Sequence, residues 1–482
     1  MNKPDALTLV IFGASGDLTR RKLMPALYLL YKAGRLPRRF AVLGMARTSY
    51  DDDRFRTSIR EGLLSFVRPD EVDEKAIQAF LSCLHYLSAD PSEPEAYAEL
   101  KTRLEEIDRT IDNPHNYLYY LATPPLLYGV IPRHLKAEGL NREDDGFRRI
   151  VVEKPFGYDL SSALELNRIY LDAFREEQIY RIDHFLGKET VQNILALRFA
   201  NSVFEPLWNR NYIDYVEITA VENMGIGTRG GFYDGVGTLR DMVQNHLAQL
   251  LAVTAMEPPA AFDASGFRNE VVKVYQSLTP LTGEDIRHSV VRGQYMASEG
   301  RKGYREEEQV PALSRTETYL AMRLELNNWR WGGVPFYIRT GKQMPTKVSE
   351  IVIHFKPAPY SLFRCEGGTC PVPNRLVIRI QPNEGIVLRL GMKKPGEGFE
   401  VLPMDMDFSY AELGRLPTED AYARLIEDCI AGDPTLFIRS DAVESGWRFF
   451  DPILKYWQDV PECPLYGYPL GGSSRSVLDQ SV

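Results

Sequence analysis

Apolar positions change their period once along the chain, near residue 200. Before it, short and almost continuously apolar runs alternate with stretches of helical spacing. Leu7–Phe12, Phe40–Ala46, Asn116–Ala122 and Arg149–Val152 read as strands buried on both faces. Helical periods lie between them, from Leu23, over about 71–110 and near 127–139. Repeated strand–helix alternation predicts a doubly wound parallel sheet, whose ligands sit at the carboxyl ends of the strands. After residue 200, Tyr215–Val221, Tyr319–Leu326, Pro335–Arg339, Ile351–Phe355, Arg375–Ile380 and Gly385–Leu390 alternate between Gly, Pro and Asn turns. Successive strands without helices between them predict a mainly antiparallel sheet. A helix from Arg240 to about Met256, helix over 418–457 and a frayed tail from Gly471 complete the pattern. The fold class is therefore α/β followed by α+β, with domains expected over residues 1–180 and 181–482.

The first strand runs into Gly13-Ala14-Ser15-Gly16-Asp17-Leu18 and then a helix. Strand, glycine turn, helix is the Rossmann-like context for a dinucleotide pyrophosphate, although one glycine of the usual fingerprint is missing. A turn with no ligand is the alternative. Phe40–Ala46 ends at Arg47, where an NAD enzyme places an acid for the ribose 2′-hydroxyl. Arginine there suits a 2′-phosphate and favours NADP, with NAD the weaker alternative. Asp51–Asp53 read as caps of the helix that follows. Lys154 stands at a strand's carboxyl end in Glu153-Lys154-Pro155-Phe156-Gly157, either at a ligand or as a surface turn lysine.

The densest chemistry lies in Arg181-Ile182-Asp183-His184-Phe185-Leu186-Gly187-Lys188-Glu189. On a helix His184 and Lys188 would share a face and could grip a phosphate monoester, while Asp183 points elsewhere. A solvated charged face gives the same spacing. His246 falls on or beside the apolar stripe Val243, Leu247, Leu250, Leu251, which fits a core histidine or a partly buried base oriented by a carboxylate such as Asp183.

Composition narrows the partners. A formal charge of −9 with no long basic block argues against nucleic acid or an anionic membrane as the main partner. Five cysteines in 482 residues suit a reducing, cytoplasmic compartment, and the Cys365–Cys370 spacing is not a usual zinc spacing. No run approaches transmembrane length.

Five motifs in order carry a resemblance over essentially the whole chain: Gly13–Leu18, Glu153–Gly157, Arg181–Glu189, Arg240–His246 and Ile338–Lys342, with Asp420–Ile453 behind them. Together they resemble the glucose-6-phosphate dehydrogenase family. The resemblance implies NADP-dependent oxidation of glucose 6-phosphate at C1, with His246 as general base, Asp183 as its orienting carboxylate and Lys154 beside substrate and coenzyme. It implies His184 and Lys188 as phosphate ligands, Glu222 and Asp241 at the sugar hydroxyls, and Lys342 and Lys347 at the substrate pocket. Gly13, Ala14, Ser15, Gly16, Asp17, Leu18, Lys22 and Arg47 would meet the coenzyme. Many members carry tyrosine where this chain has Phe185. Members pair through the large sheet, so a homodimer or homotetramer is expected. Rival readings are a related oxidoreductase acting on unphosphorylated sugar and a coenzyme-binding protein without catalysis.

Overall fold

The computed structural model describes residues 3–360, 362, 374–396, 399–413 and 421–472. Cys365, Cys370, Asp420 and the tail beyond Gly472 lie outside the described residues. Two compact units are present. One comprises Met1–Lys188, Ala261–Arg268 and Glu419–Glu444; the other Glu189–Ala260, Asn269–Thr418 and Ser445–Val482.

In the first unit, β1 (Ala6–Phe12), β2 (Arg39–Ala46), β3 (Leu84–Ser88), β4 (Tyr117–Leu121), β5 (Arg148–Val152) and β6 (Ile179–Arg181) form one sheet in the order β3-β2-β1-β4-β5-β6. Every neighbouring pair is parallel. This is the strand order of a dinucleotide-binding fold, which reverses direction beside the first strand. All seven residues of β1 are buried, as its unbroken apolar run requires. The expected helix over 71–110 is instead a helix Glu74–Ser82, the strand β3, and a helix Ala96–Ile111. Leu84 and Tyr86 alternate with half-buried His85 and Leu87, as on a one-sided edge strand. Helical periods on both sides conceal so short a strand.

The unit boundary also differs from a single cut at 180/181, because a distant helix returns to the first unit. Helix Ala421–Ala431 brings Glu427 to Arg35 at 2.9 Å, and Arg149 donates to the carbonyls of Cys429 and Ile430 at 2.7 Å. The Ile438 amide then donates to the Arg181 carbonyl at 3.1 Å. The expected helix over 418–457 is thus two helices, Ala421–Ala431 and Ser440–Asp459, parted at Gly432–Arg439.

In the second unit, β7 (Ile213–Val221), β8 (Val290–Met296), β9 (Tyr319–Glu325), β10 (Pro335–Gly341), β11 (Val348–Phe355), β12 (Arg375–Gln381), β13 (Gly385–Lys393), β14 (Val401–Ser409) and β15 (Tyr466–Pro469) form a second sheet. Its order is β14-β13-β12-β11-β7-β10-β9-β8-β15. Pairing is antiparallel except for β7 with β10 and β8 with β15. The pattern did not predict β8, β14 or β15. In β14, Pro403 and two aspartates mask the alternation of Leu402, Met404, Met406 and Phe408, and an edge strand tolerates that proline. None of the described helices is long and apolar enough to cross a membrane.

Candidate active site

The site residues expected from the sequence fall into both units, and each group has its own local logic. In the first unit the coenzyme turn leaves β1 at Gly13, whose φ of +83° suits glycine. A Cβ there would lie 2.3 Å from the Ala122 carbonyl oxygen, so β1 and β4 could not approach at the carboxyl end. Gly16 N donates to Gly13 O at 2.9 Å and Thr19 Oγ1 to the same oxygen at 3.2 Å, which closes the turn. Thr19–Leu23 then winds as a π-helix before the α-helix Met24–Lys32. Ala14 is buried, Leu18 half-buried, and Ser15, Asp17 and Lys22 are exposed. Thr48 Oγ1 donates to Ser15 Oγ at 2.8 Å, joining the turn to the end of β2. Arg47 leaves that end with its side chain 80% exposed and its Nε 4.0 Å from Asp90. An exposed guanidinium and a glycine turn leading into a helix suit the phosphates of a dinucleotide. Asp51 caps the next helix through Arg54 N at 2.8 Å, as expected.

Glu153 and half-buried Lys154 follow β5, and the Lys154–Pro155 peptide is cis. Glu153 is buried beside Lys154, and the sequence pattern gives it no role of its own. Burial pushes its carboxyl up to about 7, the charge of Asp183 adds to this, and the Tyr120 hydroxyl and Lys154 pull it back. Tyr120 Oη donates to Glu153 Oε1 at 2.6 Å.

Arg181 ends β6, and the stretch behind it is not a helix. Helix Glu189–Phe199 starts only after it. Leu186 N donates to Asp183 O and Lys188 N to Phe185 O, both at 3.1 Å, forming two overlapping turns. Asp183 Oδ1 accepts from Phe185 N at 2.9 Å, so a local side-chain bond competes with helix from the outset. The same-face spacing of His184 and Lys188 is replaced by a shared neighbour. Lys188 Nζ stands 4.1 Å from the centroid of the Phe185 ring, and the His184 ring lies 5.2 Å from it at 60°. The ring of Phe185 is therefore a platform for an ammonium, worth roughly 0.5–2 kcal/mol as a cation–π contact. His184 also lies parallel to Tyr422 at 6.3 Å. At Gly187 a Cβ would meet Ala421 O at 2.6 Å, so glycine lets helix Ala421–Ala431 close on the turn. Asp183 is 1% exposed, and a carboxylate so placed needs compensating partners.

In the second unit, the parallel pairing of β7 and β10 decides the geometry. Val221 is in register with Gly341, so the next residues, Glu222 and Lys342, leave the sheet side by side. Lys342 Nζ lies 2.6 Å from Glu222 Oε2 and 3.8 Å from Asp241 Oδ2. Its side chain is 6% exposed, whereas those of Glu222 and Asp241 are 34% and 23% exposed. One buried ammonium thus holds two carboxylates that keep lone pairs toward solvent, a set suited to polyol hydroxyls. Tyr233 lies under the ammonium at 5.1 Å, a contact no local pattern signals. Lys347 is exposed, on the segment leading into β11.

Asp241 and His246 share a winding that differs from the expected α-helix. Leu239–Leu247 is a π-helix that continues into the α-helix Ala248–Ala255. At 3.6 residues per turn, positions five apart would sit roughly 140° apart. Hydrogen bonding from i to i+5 brings them nearly above one another. Asn245 stabilises the wide turn: its Nδ2 donates to Arg240 O at 2.9 Å, and its Oδ1 accepts from His246 N at 2.7 Å. His246 is 1% exposed, placed where an imidazole is shielded from bulk water.

Two family models cover the chain. One described as the glucose-6-phosphate dehydrogenase NAD binding domain matches residues 10–193, and one described as the C-terminal domain of the same enzyme matches 195–480. The chain is 53% identical to a glucose-6-phosphate 1-dehydrogenase of Aggregatibacter actinomycetemcomitans, over 100% of this chain and 96% of the relative. It is 47% identical to that of Treponema pallidum, over 98% and 93%. A solved structure of glucose-6-phosphate dehydrogenase in complex with its substrate glucose-6-phosphate superposes with a TM-score of 0.91 at 34% identity, covering 100% of this chain and 98% of the other. A Mycobacterium avium glucose-6-phosphate 1-dehydrogenase structure gives 0.81 at 35% identity, covering 97% and 95%.

Proposed function

Because the chain belongs to the glucose-6-phosphate dehydrogenase family, we propose that it oxidises D-glucose 6-phosphate at C1 to 6-phospho-D-glucono-1,5-lactone with NADP. The observation that carries this reading is the Lys342–Glu222–Asp241 cluster, whose Asp241 shares the winding Leu239–Leu247 with buried His246. His246 takes the proton of the C1 hydroxyl as C1 gains carbonyl character, and Asp183 orients the imidazole and stabilises its charged form. The bound nicotinamide would accept the hydride that leaves C1. Glu222 and Asp241 accept hydrogen bonds from ring hydroxyls, and Lys342 fixes both carboxylates. His184 and Lys188 hold the phosphate, Lys347 supports that pocket, and Lys154 stands beside the reacting carbon.

Gly13–Leu18, Lys22 and Arg47 hold the coenzyme. The Arg47 guanidinium meets the 2′-phosphate, so Arg47→Ala should raise the KM for NADP by about 10- to 100-fold, one charge-assisted bond's worth. The KM for NAD should stay nearly constant. Steady-state kinetics with each coenzyme checks this, and equal losses would contradict it. NAD is retained as the weaker coenzyme.

The large sheet also carries a face suited to a second copy. Leu402, Met404, Met406 and Phe408 lie on one face of the edge strand β14, between 38% and 64% exposed. Leu390 and Leu388 of β13 stand directly opposite Met404 and Met406. So large an apolar face on two adjacent strands supports self-association as a homodimer or homotetramer. Replacing Met404 and Met406 together by aspartate should shift sedimentation equilibrium to the monomer; an unchanged oligomer would place the interface elsewhere.

An assay of glucose 6-phosphate against glucose, each with NADP and NAD, tests the whole reading. It predicts strong preference for the phosphorylated sugar. Preference for glucose would favour the unphosphorylated-sugar rival, and inactivity with both would favour a non-catalytic coenzyme binder.

A further inference from the structure

Gly237, at φ 71° and ψ 170°, breaks helix Gly230–Thr238 from the π-winding that carries Asp241 and His246. Such a break leaves the first amides of the new winding without carbonyl partners. Glu317, two residues before β9, meets them. Its Oε1 accepts from Leu239 N at 2.9 Å, and its main-chain oxygen accepts from Thr238 N at 3.2 Å and Thr238 Oγ1 at 2.8 Å. Thr238 Oγ1 is in turn 2.7 Å from Tyr233 Oη, on the ring beneath Lys342. A Cβ at Gly237 would lie 2.6 Å from Glu317 Oε1, so the break is shaped around this carboxylate.

The next residue fixes the other end of the cluster. Thr318 O accepts from Lys342 N at 2.9 Å, and Tyr468 Oη donates to Thr318 O at 3.2 Å and to Lys342 O at 2.8 Å. Two adjacent residues therefore set the backbone on both sides of the Lys342–Asp241 contact. Glu317 is 5% exposed and carries none of the roles assigned above. Burying a carboxylate is costly, and the positive end of a helical winding offsets that cost. Burial pushes its carboxyl up, while the Leu239 amide, Arg292 and Arg240 favour the charged form.

We propose that Glu317 is a positioning residue for the reaction: by capping the winding Leu239–Leu247 it sets the register of Asp241 and His246 against Lys342. It touches neither sugar nor coenzyme. The proposal rests on the roles given above to Asp241 and His246.

Steady-state kinetics of Glu317→Ala, Glu317→Asp and Glu317→Gln test it, with thermal melting of each. Glu317→Ala should lower kcat about 10- to 100-fold, the scale of an ångström's displacement of catalytic groups, and raise the KM for glucose 6-phosphate with that for NADP unchanged. Glu317→Gln keeps an oxygen for Leu239 N and should restore kcat to within a few-fold. Glu317→Asp keeps the charge but withdraws the oxygen by one methylene, so it should lose kcat as alanine does; it carries the test if Glu317→Ala does not fold. Undiminished kcat in the aspartate variant, or a glutamine variant as impaired as it, would overturn the proposal. So would sugar and coenzyme constants that change together, the mark of a merely structural cap. Should His246→Asn keep full turnover, the underlying reading fails; should His246→Asn be inactive and Glu317→Asp unimpaired, only the positioning role fails.

Discussion

His246→Asn is expected to lower kcat by about 10²–10⁴-fold, the usual contribution of a positioned general base. The KM for glucose 6-phosphate should change little, since the phosphate and hydroxyl contacts are proposed for other residues. The physical basis is the site of the imidazole. It is 1% exposed, and the π-winding turns it toward the side of the helix that carries Asp241. An ordinary α-helix would point it elsewhere. Asparagine keeps a planar polar group at the Nδ1 edge of the ring without bulk beyond it and cannot accept the proton at neutral pH, so substrate binding and turnover should separate. Following reduced nicotinamide by absorbance gives both constants; turnover close to that of the parent would remove His246 from the base role.

Lys188→Ala should produce the second large effect, on KM. A hydrogen bond between an ammonium and a phosphate contributes about 1.5–3 kcal/mol, which converts to roughly a 10- to 150-fold rise in KM for glucose 6-phosphate. Oxidation of unphosphorylated glucose, which has no group for Lys188 to hold, should be unaffected. The side chain is half-buried and its ammonium sits on the Phe185 ring, a fixed platform for the phosphate contact proposed for it. Comparing the two sugars in the parent and the variant checks the prediction, and an unchanged KM for the phosphorylated sugar would show that the phosphate binds elsewhere.

What was legible in the sequence was whatever depends on neighbours in the chain. Unbroken apolar runs gave four strands of the parallel sheet, and the glycine turn and Arg47 fall at the carboxyl ends of two of them. Strand β3 escaped because five residues cannot establish a period between two helices. The nonapeptide at 181–189 has helical spacing but folds as turns, since the Asp183 side chain takes the Phe185 amide that a helix would use. The winding at Leu239–Leu247 has the apolar stripe of an α-helix, and its π character depends on side-chain bonds of Asn245 that no periodicity reveals. The contact of Lys342 with Glu222, 120 residues apart, follows from strand register, and that of Leu239 with Glu317, 78 apart, from tertiary packing; neither is visible along the chain. The residue types of the proposed site were readable; the platform under Lys188 and the cap on the winding of His246 were not.

Hydride transfer from C1 of glucose 6-phosphate to the coenzyme is tested by glucose 6-phosphate carrying deuterium at C1, with mass spectrometry of the coenzyme after one turnover with NADP. The reduced coenzyme should gain the deuterium and the sugar product should lose it. Reduced coenzyme without deuterium, or a sugar that retains its label, would contradict it.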